Sequence, residues 1–361
     1  MSRARDARSV ENVNSATRRR PPARARFKTW FRMHPDTARV SPVGLVSSAK
    51  LLPSLGRDAC DVTIPAALGE RPQINRSIMA DVSAIASCLQ ATLLPDQQQR
   101  QAAELQLQEA AMQPGYSVAL FRLAVDNTLQ AEPVLRQTAS VHMKNMINRR
   151  WDPPSKPLRG GEHIIAIPEA DKASIRDNLV EAMCVALPQV RVQLGTCLRA
   201  AAHADYPDKW PTLLSTICAN LNSAEPARLH GGLFSLRVLA KVHQYRRERV
   251  APLHQLVAET FPLLLNLMRS ILGAPPSVAN SELALLAAKT MWSCTQIDMP
   301  PLLLQPQSVE QWFEILLALL GQPLPSEGAP SDPEDAAKWP PWKVKKRVAQ
   351  IMHRVLQRYG N

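Results

Sequence analysis

The stretch that decides the fold is residues 135–151, LRQTASVHMKNMINRRW. Its apolar residues recur at the spacing of an amphipathic helix, at Leu135, Ala139, Met143, Met146 and Ile147. Arg149 and Arg150 charge the last turn, where cations interact favourably with the helix dipole. Trp151 closes the segment, and the two prolines shortly after it cannot continue a helix. The segment by itself predicts one packed helix with a solvated basic side.

The composition of the whole chain favours an all-α fold. The chain has 361 residues, enough for two ordinary domains or one array of repeats. Leu and Ala dominate its 45% hydrophobic content, aromatic residues reach only 5%, and the alternation typical of strands is nearly absent.

The order of the predicted helices indicates a repeat protein. Asp81 and Asp96 are predicted to cap the first two. The predicted helices cover 81–93, 96–112, 116–128, 132–151, 170–186, 190–203, 210–221, 227–243, 253–272, 280–296, 309–320 and 343–358. They pair into about six hairpins whose spacing, roughly 40–47 residues, is typical of HEAT and armadillo repeats. We therefore expect an all-α α-solenoid, a right-handed superhelix whose concave face is lined by the second helix of each hairpin.

The amino-terminal segment 1–78 is predicted to be a disordered leader rich in Arg, Ser and Pro, and residues 79–361 the repeat array. Residues 1–79 hold 15 Lys and Arg against 6 Asp and Glu, which leaves 28 and 25 of the chain's 43 and 31 for the rest. Three interpretations stay open. The segment is translated upstream sequence before a natural start at Met79, an organelle transit peptide, or a functional basic tail.

The sequence predicts no catalytic residues, no metal site and no cofactor, and therefore a protein that is not an enzyme. It contains no phosphate-binding glycine loop, no H-E-x-x-H, no G-x-S-x-G and no C-x-x-C pair. The six cysteines lack metal-ligand spacing and are interpreted as reduced and structural. No uninterrupted apolar run approaches the ~18–20 residues that a membrane span requires, so no membrane insertion is expected.

Several segments, taken in order, resemble the importin-β family of nuclear transport receptors. Residues 103–110 (AELQLQEA) are similar to the opening helix of the importin amino-terminal domain, and residues 135–151 are similar to its central signature. The resemblance continues through 167–169, 175–178, 190–194 and 205–211 and places that domain at about 103–185. Residues 310–312, 342–346 and 358–360 resemble the importin seven and importin eight branch in particular.

This resemblance implies a nuclear import receptor that shuttles between cytoplasm and nucleus through nuclear pores. Its partners would be the GTPase Ran in its GTP form, Phe-Gly nucleoporins, and basic protein cargo such as ribosomal proteins or histones, with no direct contact to nucleic acid. The candidate Ran-binding residues are Arg136, Gln137, Lys144, Asn145, Arg149, Arg150, Arg191 and Gln193. The structural anchors are Trp151, Tyr206, Pro207 and Trp210. Lys144 and Arg150 both lie off the apolar stripe, so both are expected to tolerate charge reversal without unfolding.

Three other classes of protein remain open. An exportin of the same family would bind cargo together with Ran-GTP instead of releasing it. A HEAT-repeat scaffold outside transport would share the hairpins but has no reason to carry the 135–151 signature. A nucleic-acid binder acting through the basic residues 3–28 predicts binding that depends steeply on salt.

Overall fold

The computed structural model describes residues 72–129, 131–156, 163–245 and 250–359, with side chains from Val82 onward. The described residues form α-helices joined by loops, with no strand among them. The helices are α1 Pro72–Ala91, α2 Gln97–Ala110, α3 Tyr116–Val125, α4 Pro133–Arg150, α5 Glu169–Val185, α6 Pro188–Asp205, α7 Leu213–Leu221, α8 Pro226–His243, α9 Val250–Gly273, α10 Val278–Cys294, α11 Pro306–Gly321, α12 Pro333–Ala336 and α13 Pro340–Tyr359. The prediction of an all-α fold is therefore confirmed. The predicted leader over 1–78 falls almost wholly outside the described residues.

The helices stack in two layers, which is the arrangement of an α-solenoid. The first helices α1, α3, α5, α7, α9 and α11 pack each on the next. The second helices α4, α6, α8 and α10 do the same alongside them. Each hairpin covers the apolar stripe of its neighbour, and this explains the continuous row of buried residues from Val82 to Ile351. The chain divides into two compact units: this array up to Met352, and a second unit whose described part is the end of α13 from His353.

The helix starts follow local chemistry, with one predicted cap wrong. The Asp96 carboxylate accepts hydrogen bonds from the backbone N–H groups of Gln98 and Gln99 at 2.8 and 3.2 Å, so the predicted cap of α2 is confirmed. Asp81 is not a cap, because α1 begins nine residues earlier, at Pro72. Most second helices begin at a proline, whose missing N–H and fixed φ suit the first helical position.

Two predictions about the second half of the chain need correction. The sequence predicted no helix between residues 320 and 343, but this segment contains a short helix, α12, whose first turn is capped by Asp332. Of the described residues, those of α9 form one helix that is long and apolar enough to cross a membrane by length and composition, although the sequence had indicated no such segment. Its large side chains Leu256, Phe261 and Leu264 are buried within the array, and the core helix of a folded domain passes the same test.

One glycine sets the distance between two helices of different hairpins. A Cβ atom added at Gly231 of α8 would lie 2.7 Å from the Cα and 2.9 Å from the backbone nitrogen of Cys184 on α5. Backbone cannot move aside as the end of a side chain can, so only a glycine lets α8 approach α5 this closely.

Candidate partner-binding surface

The helix α4 presents a polar stripe on the side opposite its buried residues. Gln137 and Asn145 are exposed, Lys144 is half-buried, and the three recur at the seven- to eight-residue spacing of one helix face. Their side chains form no hydrogen bond or ion pair within the described part of the chain. Arg149 is also exposed, on the last turn of the same helix. These four predicted residues are therefore placed where a partner could reach them.

The neighbouring helix α6 continues this surface. Gln193 is half-buried, and Arg199, which shares a helix face with Val192 seven residues earlier, is exposed. Each helix also exposes a valine, Val134 at 60% and Val192 at 56% of its surface. Because α4 packs directly on α6, the two stripes lie side by side. Sequence reasoning missed Arg199 and the two valines; the signal available for them was their position away from the apolar stripe.

Arg136 and Arg191 are half-buried, and each guanidinium hydrogen-bonds to carbonyl groups of its own hairpin. Arg136 donates to the carbonyl oxygens of Ala124 at 3.0 Å and Val125 at 3.1 Å, the last two residues of α3. Arg191 donates to the carbonyl oxygen of Ala186 at 2.9 Å, just past the end of α5. In both cases a guanidinium in the first turn of the second helix satisfies carbonyl groups that the end of the first helix leaves without intrahelical partners.

Arg228 in the first turn of α8 contacts side chains instead of backbone carbonyl groups. It donates to Asn220 Oδ1 at 3.2 Å near the end of α7, and it pairs with Glu181 of α5 at 2.6 Å. Burial lowers the pKa of the Arg136 and Arg191 guanidiniums. The sequence signal that Arg136 and Arg191 share is a proline three residues before the arginine. Sequence reasoning assigned Arg136 and Arg191 to a partner instead.

Arg150 is buried, which contradicts the expectation that it tolerates charge reversal. Only 8% of its surface is exposed, and its guanidinium donates to the carbonyl oxygens of Ile165, at 2.7 Å, and Ala111. It thereby joins the end of α4 to the end of α2 and to the loop before α5. A glutamate here would place a carboxylate against carbonyl oxygens in a buried site, and we expect that to unfold this region.

The predicted anchors form the corner between the second and third hairpins. Trp151 is buried, and its indole N–H donates to Asp205 Oδ2 at 3.0 Å. The same carboxylate accepts from Arg176 at 2.7 Å, and Arg176 in turn pairs with Glu169 at 2.6 Å. Tyr206 and Trp210 are buried beside this corner, and Pro207 between them is half-buried.

Asp171 ties the same two hairpins together at the other side. Its buried carboxylate accepts from the Ser117 hydroxyl at 2.6 Å and from the backbone N–H of Gly115. Gly115 precedes α3 with a φ of 87°, a conformation that glycine adopts readily. An aspartate of α5 therefore caps the start of α3 in the preceding hairpin.

His230 makes the stability of the third and fourth hairpins depend on pH. Its Nδ1 lies 3.0 Å from Arg191 Nη1, and burial together with the charge of Arg191 lowers the pKa of His230 to about 4. An unfolded histidine has a pKa near ~6.5, so between these two values the unfolded chain binds a proton that the folded chain does not. Stability is therefore expected to fall as the pH is lowered through this window.

Replacing His230 by asparagine should flatten this dependence. The measurement is the urea midpoint at several pH values from neutral to about 4.5. His163→Asn, at an exposed histidine, is the control and should retain the wild-type dependence. Equal pH dependence of wild type and His230→Asn would contradict the assignment.

Comparison with known proteins connects this geometry to a family. Residues 103–185 match the importin-beta N-terminal domain, a range that contains α3, α4, α5 and most of α2. An importin beta-like SAD2 homolog from Arabidopsis thaliana is 34% identical over 75% of this chain and 25% of its own length. Importin-8 from Mus musculus is 30% identical over 78% of this chain and 27% of its own length. The chain thus carries an importin-beta N-terminal domain and is an importin-β family sequence, as its motifs predicted.

The relatives include proteins named for both directions of transport. Exportin-2 from Homo sapiens is 28% identical over 66% of this chain and 25% of its own length. A solved structure of the exportin Cse1 in its cargo-free, cytoplasmic state superposes with a TM-score of 0.65 at 19% identity, over 77% of this chain and 30% of that one. This likeness supports the α-solenoid fold. The chain spans about a quarter of the length of the curated relatives it matches.

Proposed function

We propose that this chain is the amino-terminal part of a nuclear import receptor and binds Ran in its GTP form through α4 and α6. The observation that carries the proposal is the polar stripe of Gln137, Lys144 and Asn145 on the central helix of the matched domain. The stripe is exposed although the other side of the helix is buried, and the neighbouring stripe of α6 widens it. A cationic and amide-rich surface of this kind meets an acidic and polar protein surface, where charge governs the association rate and specificity.

The rest of the proposed activity follows from the same family. The receptor would move between cytoplasm and nucleus, carry protein cargo, basic proteins among them, and contact Phe-Gly nucleoporins in transit. The similarity to exportin-2 is the observation that supports the alternative, an exportin. The two directions differ in one measurable respect: cargo binds competitively with Ran-GTP in an importin and cooperatively in an exportin.

Charge reversal at Lys144 should weaken Ran-GTP binding by about tenfold, because a rim cation facing an acidic partner becomes a repelling anion. The measurement is a titration of the full chain with Ran loaded with a non-hydrolysable GTP analogue, and with Ran-GDP. Lys144→Glu is suited to this test since the Lys144 side chain makes no hydrogen bond or ion pair, among the described residues, that the change would break. Arg150→Glu is not suited, because it would damage the fold.

Lys346→Glu is the matched control, an exposed lysine on α13 far along the chain from the proposed surface. It should bind as the wild type does. Unchanged binding of Lys144→Glu, alongside a native circular-dichroism melt, would remove this stripe from the Ran site. Equal affinity for the GTP and GDP forms would argue against a transport receptor and favour a scaffold.

A further inference from the structure

A second group of cations lies on the later second helices, away from α4 and α6. Lys289, Trp292 and Ser293 share one face of α10, at spacings of three and four residues. Lys343 and Arg347 share one face of α13, one helical turn apart. Arg237 reaches the group from α8. All four cations are half-buried. We call Arg237, Lys289, Lys343 and Arg347 the basic cluster.

Both guanidiniums of the basic cluster are held in place by neighbours. Arg237 Nη1 donates to Ser293 Oγ at 3.0 Å, and Ser293 in turn donates to Gln244 Oε1 at 3.1 Å. The Arg347 guanidinium lies over the Trp292 ring, 4.9 Å from its centroid. Each contact fixes the position of a guanidinium but leaves its positive charge uncompensated.

The cluster is also poor in carboxylates. The helices α8 and α13 contain no aspartate or glutamate, and α10 contains only Glu282, two turns before Lys289. Burial lowers the pKa of Lys289, and the charges of Arg237, Lys343 and Arg347 lower it further. Burial and the charge of Arg347 likewise lower the pKa of Arg237. The charged groups that shift the pKa of Lys289 are therefore all cations, and an anionic partner would relieve their mutual repulsion.

We propose that the basic cluster binds a carboxylate-rich segment of a protein partner. Guanidinium groups match carboxylates through paired parallel hydrogen bonds, and two lysines beside them add point charges. A basic cluster attracts acidic ligands, whereas a surface for basic cargo would be acidic. The proposal stands independently of the proposed Ran surface, since it involves different helices and a different ligand.

The geometry fits an acidic peptide better than a nucleic acid. Affinity for a nucleic-acid backbone comes from many phosphate contacts along a stripe, whereas this cluster is compact and the chain after residue 79 is nearly charge-balanced. Single-stranded binding also uses open aromatic faces for base stacking. Here Arg347 covers a face of Trp292.

The test measures binding of a short fluorescein-labelled polyglutamate peptide to the full chain by fluorescence anisotropy. Polyglutamine and oligouridine of the same length are the comparison probes. The double variant Lys289→Gln with Arg347→Gln should weaken polyglutamate binding by about tenfold or more, because two charge-assisted contacts are lost. Lys346→Gln, an exposed lysine next to Arg347, removes one charge outside the cluster and should change binding less than about twofold.

A second measurement locates the peptide and does not depend on how the variants fold. Carbodiimide activation joins a glutamate carboxylate to a lysine amine as an amide, with the lost water taken up by the carbodiimide. Mass spectrometry of the wild-type chain should find the peptide on Lys289 or Lys343. Coupling confined to Lys28 and Lys50 of the basic leader would overturn the proposal, as would unchanged affinity of a folded double variant. Oligouridine binding that is tighter and lost in the same variant would show a nucleic-acid site instead.

Discussion

Replacing Asp205 by alanine should lower the free energy of unfolding by about 3 kcal/mol, the scale on which breaking a buried ion pair destabilises a protein. The Asp205 carboxylate is buried and serves both Trp151 and Arg176. Alanine leaves the indole N–H without its acceptor and one side of the Arg176 guanidinium unpaired. Arg176 keeps its pair with the exposed Glu169, which limits the loss.

The measurement is urea denaturation of the full chain, followed by circular dichroism and by tryptophan fluorescence. Asp208→Ala, the same chemical change at an exposed position three residues later, is the control and should lie within about 0.5 kcal/mol of wild type. Asp205→Asn should fall between the two, because an amide oxygen still accepts from the indole. Equal midpoints for Asp205→Ala and Asp208→Ala would show that the corner contributes little to stability.

Replacing Gly231 by alanine should destabilise the chain by about 1–3 kcal/mol, as overpacking of a tight interface does. The added methyl group would meet the Cys184 backbone at 2.7 Å, so α8 must move away from α5. The gain in helix propensity from glycine to alanine, about 0.5–1 kcal/mol, offsets only part of this.

Gly273→Ala separates the two effects, since a Cβ atom there meets nothing within 4 Å at the end of α9. That variant should be as stable as wild type or slightly more stable. The check is the thermal or urea midpoint of both variants. A stabilised Gly231→Ala would mean that α5 and α8 lie further apart than described.

The helices could be predicted well from the sequence because buried residues recur with the period of an α-helix. Every one of the twelve predicted helices is present, and Leu135, Ala139, Met143 and Ile147 are buried as their spacing required. The predicted ends of the helices were less accurate. Asp81 has the chemistry of a cap but lies within α1, since a local signal does not show whether the preceding residues continue the helix.

The candidate surface was predicted only in part, and the reason is the length of arginine. A helical period shows which side of α4 carries Arg136 and Arg150, but it does not show where a long flexible side chain ends. Both fold back onto carbonyl groups of neighbouring helices, contacts that depend on tertiary packing. The side chains of Gln137 and Asn145 are shorter and stay exposed, and the Lys144 side chain makes no such contact. The residues of the basic cluster come from three hairpins that are far apart in sequence, so no local sequence pattern could predict it.

The ties between the second and third hairpins also have a mechanical meaning. Asp171 connects α5 to α3, and Asp205 connects α6 to Trp151 at the end of α4. Stretching or bending the array at this junction would break buried polar contacts at two separate points, so we expect it to be stiff. A partner that spans α4 and α6 would meet two helices already at a fixed separation. Little of its binding free energy would then be spent on bringing them into place.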